Sequence, residues 1–150
     1  MLRVRATRLV ATAMLSLVAS CGGDIESEFS LKGTLDGASF DATGVTATIQ
    51  NSVLTLSGAT AQNLVRIRVL VPSTPGTLSF GTDTSAISFG DVANQTAIWS
   101  TIYGGTGTVT FTKTTPEETS GTFSFTARLT PGQNGSATRT ISSGSFVAKF

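Results

Sequence analysis

The residues able to do chemistry are few, and their pattern excludes more than it offers. The chain has no histidine. Ser-His-Asp and Cys-His nucleophile arrangements and imidazole metal sites are therefore ruled out. Carboxylates remain: Asp36, Asp41, Asp83, Asp91, Glu117 and Glu118. A glycosidase would need two of them facing one cleft, one as acid and the other as base or nucleophile. Asp36 precedes Gly37 in a hairpin signal, and Glu117 and Glu118 follow Pro116, so these three read as solvated loop acids. Asp83 and Asp91 flank a short segment and could join backbone carbonyls around Ca²⁺, but no calcium-loop spacing is present. Gly104-Gly105-Thr106-Gly107 lacks a following Lys and runs into a strand pattern, whereas a phosphate loop opens a helix. No cofactor and no metal are expected.

Two pairs are candidates for binding. Arg66 and Arg68 point the same way from one strand, and together could receive an anionic group; the simpler reading is a solvated face. Trp99 and Tyr103 share a strand parity, and on an open sheet face aromatic rings can stack on sugars. The competing reading places them in the core, with Ile98 and Ile102 turned outward.

The elements that must position these residues read as strands. From Phe29 onward apolar residues recur with period two, as in Val65, Ile67, Val69 and Val71 alternating with Arg66 and Arg68. Asp36-Gly37, Asn51-Ser52, Pro75-Gly76 and Pro131-Gly132 punctuate the pattern with turn chemistry. About nine or ten short strands joined by close turns predict an all-β fold, an antiparallel β-sandwich. An up-and-down or partly open β-barrel is the alternative. A Gly-Thr/Ser-apolar phrase recurs at Gly76, Gly107, Gly121 and Gly144, too unevenly for a solenoid. Each reads as a turn glycine opening an amphipathic strand.

The first 20 residues have a different character. Arg3, Arg5 and Arg8 precede an uncharged, mostly apolar run from Leu9 to Val18, followed by the small residues Ala19 and Ser20. That is the plan of a secretory signal, and the run falls short of the roughly 20 apolar residues a membrane-spanning helix needs. Leu17-Val18-Ala19-Ser20-Cys21 resembles the lipobox of bacterial lipoproteins. The resemblance implies cleavage before Cys21, a lipid thioether on its sulfur and an acylated amino group. It assigns residues 1–20 to a signal peptide, 21–28 to the lipidated cysteine and a polar tether, and 29–150 to a single β-domain. Cys21 is the only cysteine, so no intrachain disulfide is possible, and lipidation accounts for a lone thiol in an exported protein. The residue after it, Gly22, implies by the same resemblance transport to the outer membrane. Loss of the three arginines leaves seven Lys and Arg against nine Asp and Glu, a mildly acidic domain that does not suit nucleic acid.

Gly107-Thr108-Val109-Thr110-Phe111-Thr112, Ser120-Gly121-Thr122-Phe123-Ser124-Phe125-Thr126-Ala127 and Ser143-Gly144-Ser145-Phe146 resemble the ending of a family of small bacterial lipoproteins from the Bacteroidetes. Gly37-Ala38-Ser39-Phe40-Asp41-Ala42 and Leu54-Thr55-Leu56-Ser57-Gly58 are similar to its first half. The resemblance implies a lipid-anchored β-domain and brings no catalytic residues. The expected function is a non-enzymatic binding or structural module of the cell envelope, its membrane contact made through Cys21 and its protein or glycan partner open. The alternatives are a carrier holding an apolar ligand in a barrel and a carboxylate-dependent hydrolase.

Overall fold

The computed structural model describes residues 29–80 and 97–150, together with the backbone of residues 86–91. The signal segment, Cys21, the tether, Asp83 and the side chain of Asp91 lie outside the described residues.

Eleven strands make up the described fold: β1 (Phe29–Leu35), β2 (Ala38–Asp41), β3 (Thr43–Gln50), β4 (Val53–Ala59), β5 (Asn63–Leu70), β6 (Gly76–Phe80), β7 (Ala86–Asp91), β8 (Ile98–Ser100), β9 (Thr106–Thr114), β10 (Glu118–Leu129) and β11 (Thr138–Lys149). All pairings are antiparallel. The sheet is not closed into a barrel, and the fold is an all-β sandwich. The barrel alternative is thereby overturned.

One layer runs β2-β1-β11-β10-β9-β6, and the other runs β8-β7-β5-β4-β3. They join at β10, which pairs with β9 from Thr119 to Thr126 and then with β8 at Arg128 and Leu129. The alternation written in the sequence sets the faces. Val65, Ile67 and Val69 of β5 are buried while Arg66 and Arg68 are exposed. Leu54 and Leu56 of β4 and Leu31 of β1 meet the rings of Phe111, Phe123, Phe125 and Phe146 in one continuous core. Each fully buried ring or aliphatic side chain contributes on the order of 1.5–3 kcal/mol.

Three of the four recurring glycines correct the expectation made for them. Gly76 does open β6, but Gly107, Gly121 and Gly144 lie within β9, β10 and β11. None has positive φ. Each leaves out a Cβ that would strike its neighbour: Phe125 Cβ for Gly107, Thr110 O for Gly121 and the ring of Phe123 for Gly144. They are there for packing.

The turns behave as their chemistry dictates. Asp36 and Gly37 both have positive φ, at 49° and 88°, and Asn51 and Ser52 at 51° and 62°, as type I′ hairpins require.

Candidate functional site

The loop end of the sandwich carries the most developed polar arrangement among the described residues. The Asp36-Gly37 turn places the Asp36 carboxylate against the start of β11. Asp36 Oδ2 accepts from Arg139 Nε at 2.7 Å, and Oδ1 accepts from the Thr140 amide at 2.7 Å. Arg139 Nη1 donates to Asn63 Oδ1 at 2.9 Å, and the guanidinium carbon lies 5.0 Å from the Trp99 ring centroid. Trp99 Nε1 donates to the Ser136 carbonyl at 2.8 Å. One arginine thus ties together the β1–β2 hairpin, the start of β5, β8 and β11. Asn63, though polar, is buried, and its partner explains how that is tolerated.

Beside this clamp a groove of about 340 Å³ opens between Ser39-Phe40-Asp41 on one wall and the β4–β5 turn, Thr60 to Asn63, on the other. The turn is held by Thr60 Oγ1, which accepts from the amides of Gln62 (3.3 Å) and Asn63 (2.9 Å). A second groove of about 630 Å³ adjoins it across Asp41 and Thr43 and extends toward Phe29, Gly44 and Lys149. The Lys32–Asp41 ion pair, at 2.9 Å, stands beside it.

The structure separates the aromatic pair. Trp99 is 5% exposed and belongs to the core, whereas Tyr103 is 45% exposed. The strand ends at Ser100, and a 3₁₀ turn covers Thr101–Tyr103, with Ser100 Oγ accepting from the Ile102 amide. Period-two parity does not survive a three-residue turn, so Trp99 and Tyr103 do not form a stacking face. Ile98 and Ile102 are the exposed pair.

Arg66 and Arg68 project from the outer face of β5, where Arg66 Nε donates to Ser57 Oγ at 3.3 Å. Neither lines the two grooves.

Three of the described carboxylates pair with separate cations. Asp36 pairs with Arg139, Asp41 with Lys32, and Glu118 with Lys113 at 2.7 Å. The Glu118 carboxyl titrates below the ordinary glutamate range, first because Lys113 donates a hydrogen bond to it and then through the charges of Lys113 and Lys149. The two adjoining grooves share a single acid, Asp41, whereas a hydrolase needs a facing pair. No group of three or more acids that could hold a metal occurs among the described residues.

A carrier needs an empty apolar interior, but Phe123 stacks on Phe125 with ring centroids 6.0 Å apart, and Phe146 meets Phe111 edge-on at 5.8 Å. These rings occupy the space such a ligand would take.

The clamp residues Arg139 and Asn63 are not apparent from the sequence. Arg139 stands 103 residues from Asp36 and 76 from Asn63, and no local pattern joins them.

A family model described as a domain of unknown function (DUF6252) matches residues 27–148. The chain belongs to the DUF6252 family. The match takes in all of β1 to β10 and nearly all of β11, so the clamp and, Lys149 apart, both grooves lie within this DUF6252 domain. No curated protein and no solved structure matches the chain. No helix among the described residues is long and apolar enough to cross a membrane.

Proposed function

We propose that this chain is a lipid-anchored, non-enzymatic β-sandwich of the cell envelope, exported by residues 1–20, modified on Cys21 and acting as a binding or structural module. The carrying observation is the run Leu17-Val18-Ala19-Ser20-Cys21, placed after a basic and then an apolar segment and eight residues before β1 begins at Phe29. Two or more acyl chains hold a protein on a bilayer stably, where one chain alone is marginal. The destination we propose is the outer membrane.

This reading gives the fold a direction. β1 leaves the tether at Phe29 and reaches Leu35 about 20 Å further on, at roughly 3.3 Å per residue. On this reading the Asp36–Arg139 clamp, at the far end of β1, stands farther from the anchored terminus than Phe29 does.

The test is metabolic labelling with an alkyne fatty acid, comparing the native chain with Cys21→Ser. The native protein should carry label and sediment with membranes, and the variant should carry none. An unlabelled native chain recovered in the soluble fraction would overturn the proposal.

A further inference from the structure

The outer face of the β8-β7-β5-β4-β3 layer exposes apolar side chains and arginines together. On β5 the outward residues are Leu64, Arg66, Arg68 and Leu70. Gly90 of β7 pairs with Leu64 on one side and with Ile98 of β8 on the other, so these two exposed residues share a rank with no side chain between them. The next rank runs Ser57, Arg66, Ser88, Ser100 and Arg128 across β4, β5, β7, β8 and β10. The 3₁₀ turn lies over the end of this rank. Ser100 alternates outward from the core residue Trp99, yet it is buried, and its Oγ accepts from the Ile102 amide. Gly104, which closes the turn, lies against Arg128, and Tyr103 lines a groove with Arg128. Seven large apolar residues are exposed among the described residues. All but Ile49 and Phe150 are on this face or on the turn that covers its end.

The charges are sorted in the same way. Arg66, Arg68 and Arg128 form no ion pair with a described residue, whereas Lys32, Lys113 and Arg139 each hold a carboxylate. The described acids of the domain are Asp36, Asp41, Glu117 and Glu118, and all four belong to the other layer or its turns. A mildly acidic domain thus presents one face that is cationic and apolar at once.

That combination suits a boundary that is apolar on one side and rich in phosphate on the other. Leucine and isoleucine enter the apolar side, and tyrosine sits at the level of the headgroups. Arginine lays its stem along apolar surface while its guanidinium meets phosphate oxygens two at a time. The position of the tether favours a bilayer over a soluble partner. Phe29 and Val45 line one groove, so the tether leaves the domain beside β3, the edge strand of this same layer. β5 stands two strands further in, about 10 Å at roughly 4.8 Å per strand. The eight residues from Cys21 to Phe29 span at most about 28 Å when extended. A bilayer holding Cys21 is therefore always within reach of this face, at high effective concentration.

We infer that this face rests on the membrane that holds Cys21, with Leu64 and Ile98 at the acyl boundary and Arg66, Arg68 and Arg128 on the phosphates of anionic lipid. The inference rests on the lipid-anchor reading and adds which side of the domain the bilayer meets.

The test uses the absence of other thiols. Cys21 is the only cysteine, so a Leu64→Cys chain with a lipidated Cys21 carries one free thiol. The full chain is extracted in detergent, labelled there with an NBD maleimide and reconstituted into phosphatidylcholine–phosphatidylglycerol vesicles. Thr122→Cys, exposed on the outer face of the other layer, is the comparison. Emission from position 64 should rise about twofold or more on reconstitution and be quenched by doxyl-labelled lipid, while position 122 changes little. Arg66→Glu with Arg68→Glu, both at exposed positions, should cut that quenching by about half or more at an unchanged melting temperature, and lysine at both should retain most of it. Equal responses at positions 64 and 122, or quenching undiminished by the glutamates, would overturn the inference. So would no response at position 64, which would leave the face to a protein partner. A chain that takes a second label and does not pellet with vesicles has an unmodified Cys21; that result overturns the anchor, and the inference with it, and is distinct from a pelleted, singly labelled chain that gives no response.

Discussion

Consider Gly144→Ala. Gly144 lies in β11 and has no positive φ, so alanine meets no left-handed backbone penalty there and the cost comes from packing. The added methyl carbon would stand 2.5 Å from Cδ2 and 2.6 Å from Cζ of Phe123, and nearer still to Cε2. Carbon atoms pack comfortably at about 3.5–4.0 Å, so the ring has to retreat by roughly 1 Å. It has little room to do so. Phe123 is 3% exposed, with Phe125 at 6.0 Å and Phe146 at 6.4 Å between ring centroids. Overpacking of this kind costs about 1–3 kcal/mol, and the absence of a free side places this site toward the upper value. For a domain of this size each kcal/mol moves the melting temperature by about 4 °C, so a fall of roughly 8–12 °C is expected. Calorimetry or urea unfolding reads it. The decisive experiment is the cycle with Phe123→Leu. If the methyl and the ring collide, the double variant should be more stable than the sum of the single losses allows, by about 1 kcal/mol. A Gly144→Ala protein within about 0.5 kcal/mol of the parent, or a strictly additive cycle, would refute the assignment of this glycine to packing.

Three further outcomes are expected. Thr119 is 1% exposed and its hydroxyl has no partner; Thr119→Val should therefore raise stability by about 1 kcal/mol in urea unfolding, and a lower midpoint would count against that. Ser52→Gly converts the β3–β4 turn to Asn-Gly, relieving a serine held at φ 62°; a net gain of about 0.5 kcal/mol should remain after glycine's extra unfolded-state freedom, with a loss contradicting the type I′ assignment. The lowered Glu118 pKa means that its ion pair with Lys113 stabilises the fold above the ordinary glutamate range, and that this contribution disappears as pH falls through the lowered value. Lys113→Met should move the Glu118 carboxyl titration upward by NMR, and an unmoved titration would remove Lys113 as the cause.

What the sequence conveys about this protein follows from the range of each signal. Period-two alternation is local, so β5 and β10 were legible, as was the outward direction of Arg66 and Arg68. Turn chemistry is local too, and Asp36-Gly37 and Asn51-Ser52 took the backbone geometry their residues favour. Partnership between strands is not local. The sequence places β5, β6 and β7 in succession, yet β5 pairs with β7 while β6 crosses to β9 in the other layer. Nothing within those segments distinguishes the strand that crosses. The clamp has the same origin, because Arg139 meets Asp36, Asn63 and Trp99 only once four strands have been brought to one end.

The glycines show how a local phrase can carry a non-local instruction. In Gly121-Thr122-Phe123 and Gly144-Ser145-Phe146, glycine and phenylalanine are two residues apart and so share a face of the strand. When β10 and β11 pair, Gly121 falls opposite Phe146 and Phe123 opposite Gly144. Each ring lies over a gap its partner strand leaves for it, which is the relation that fixes register where a one-residue slip would turn the core outward. The phrase looks like punctuation when the strands are read singly, because its meaning depends on the pairing. The same pairing leaves Thr122 and Ser145 facing each other on the outer face. The register that seats the rings inside therefore also aligns these hydroxyls outside, and a change that slips one must disorder the other.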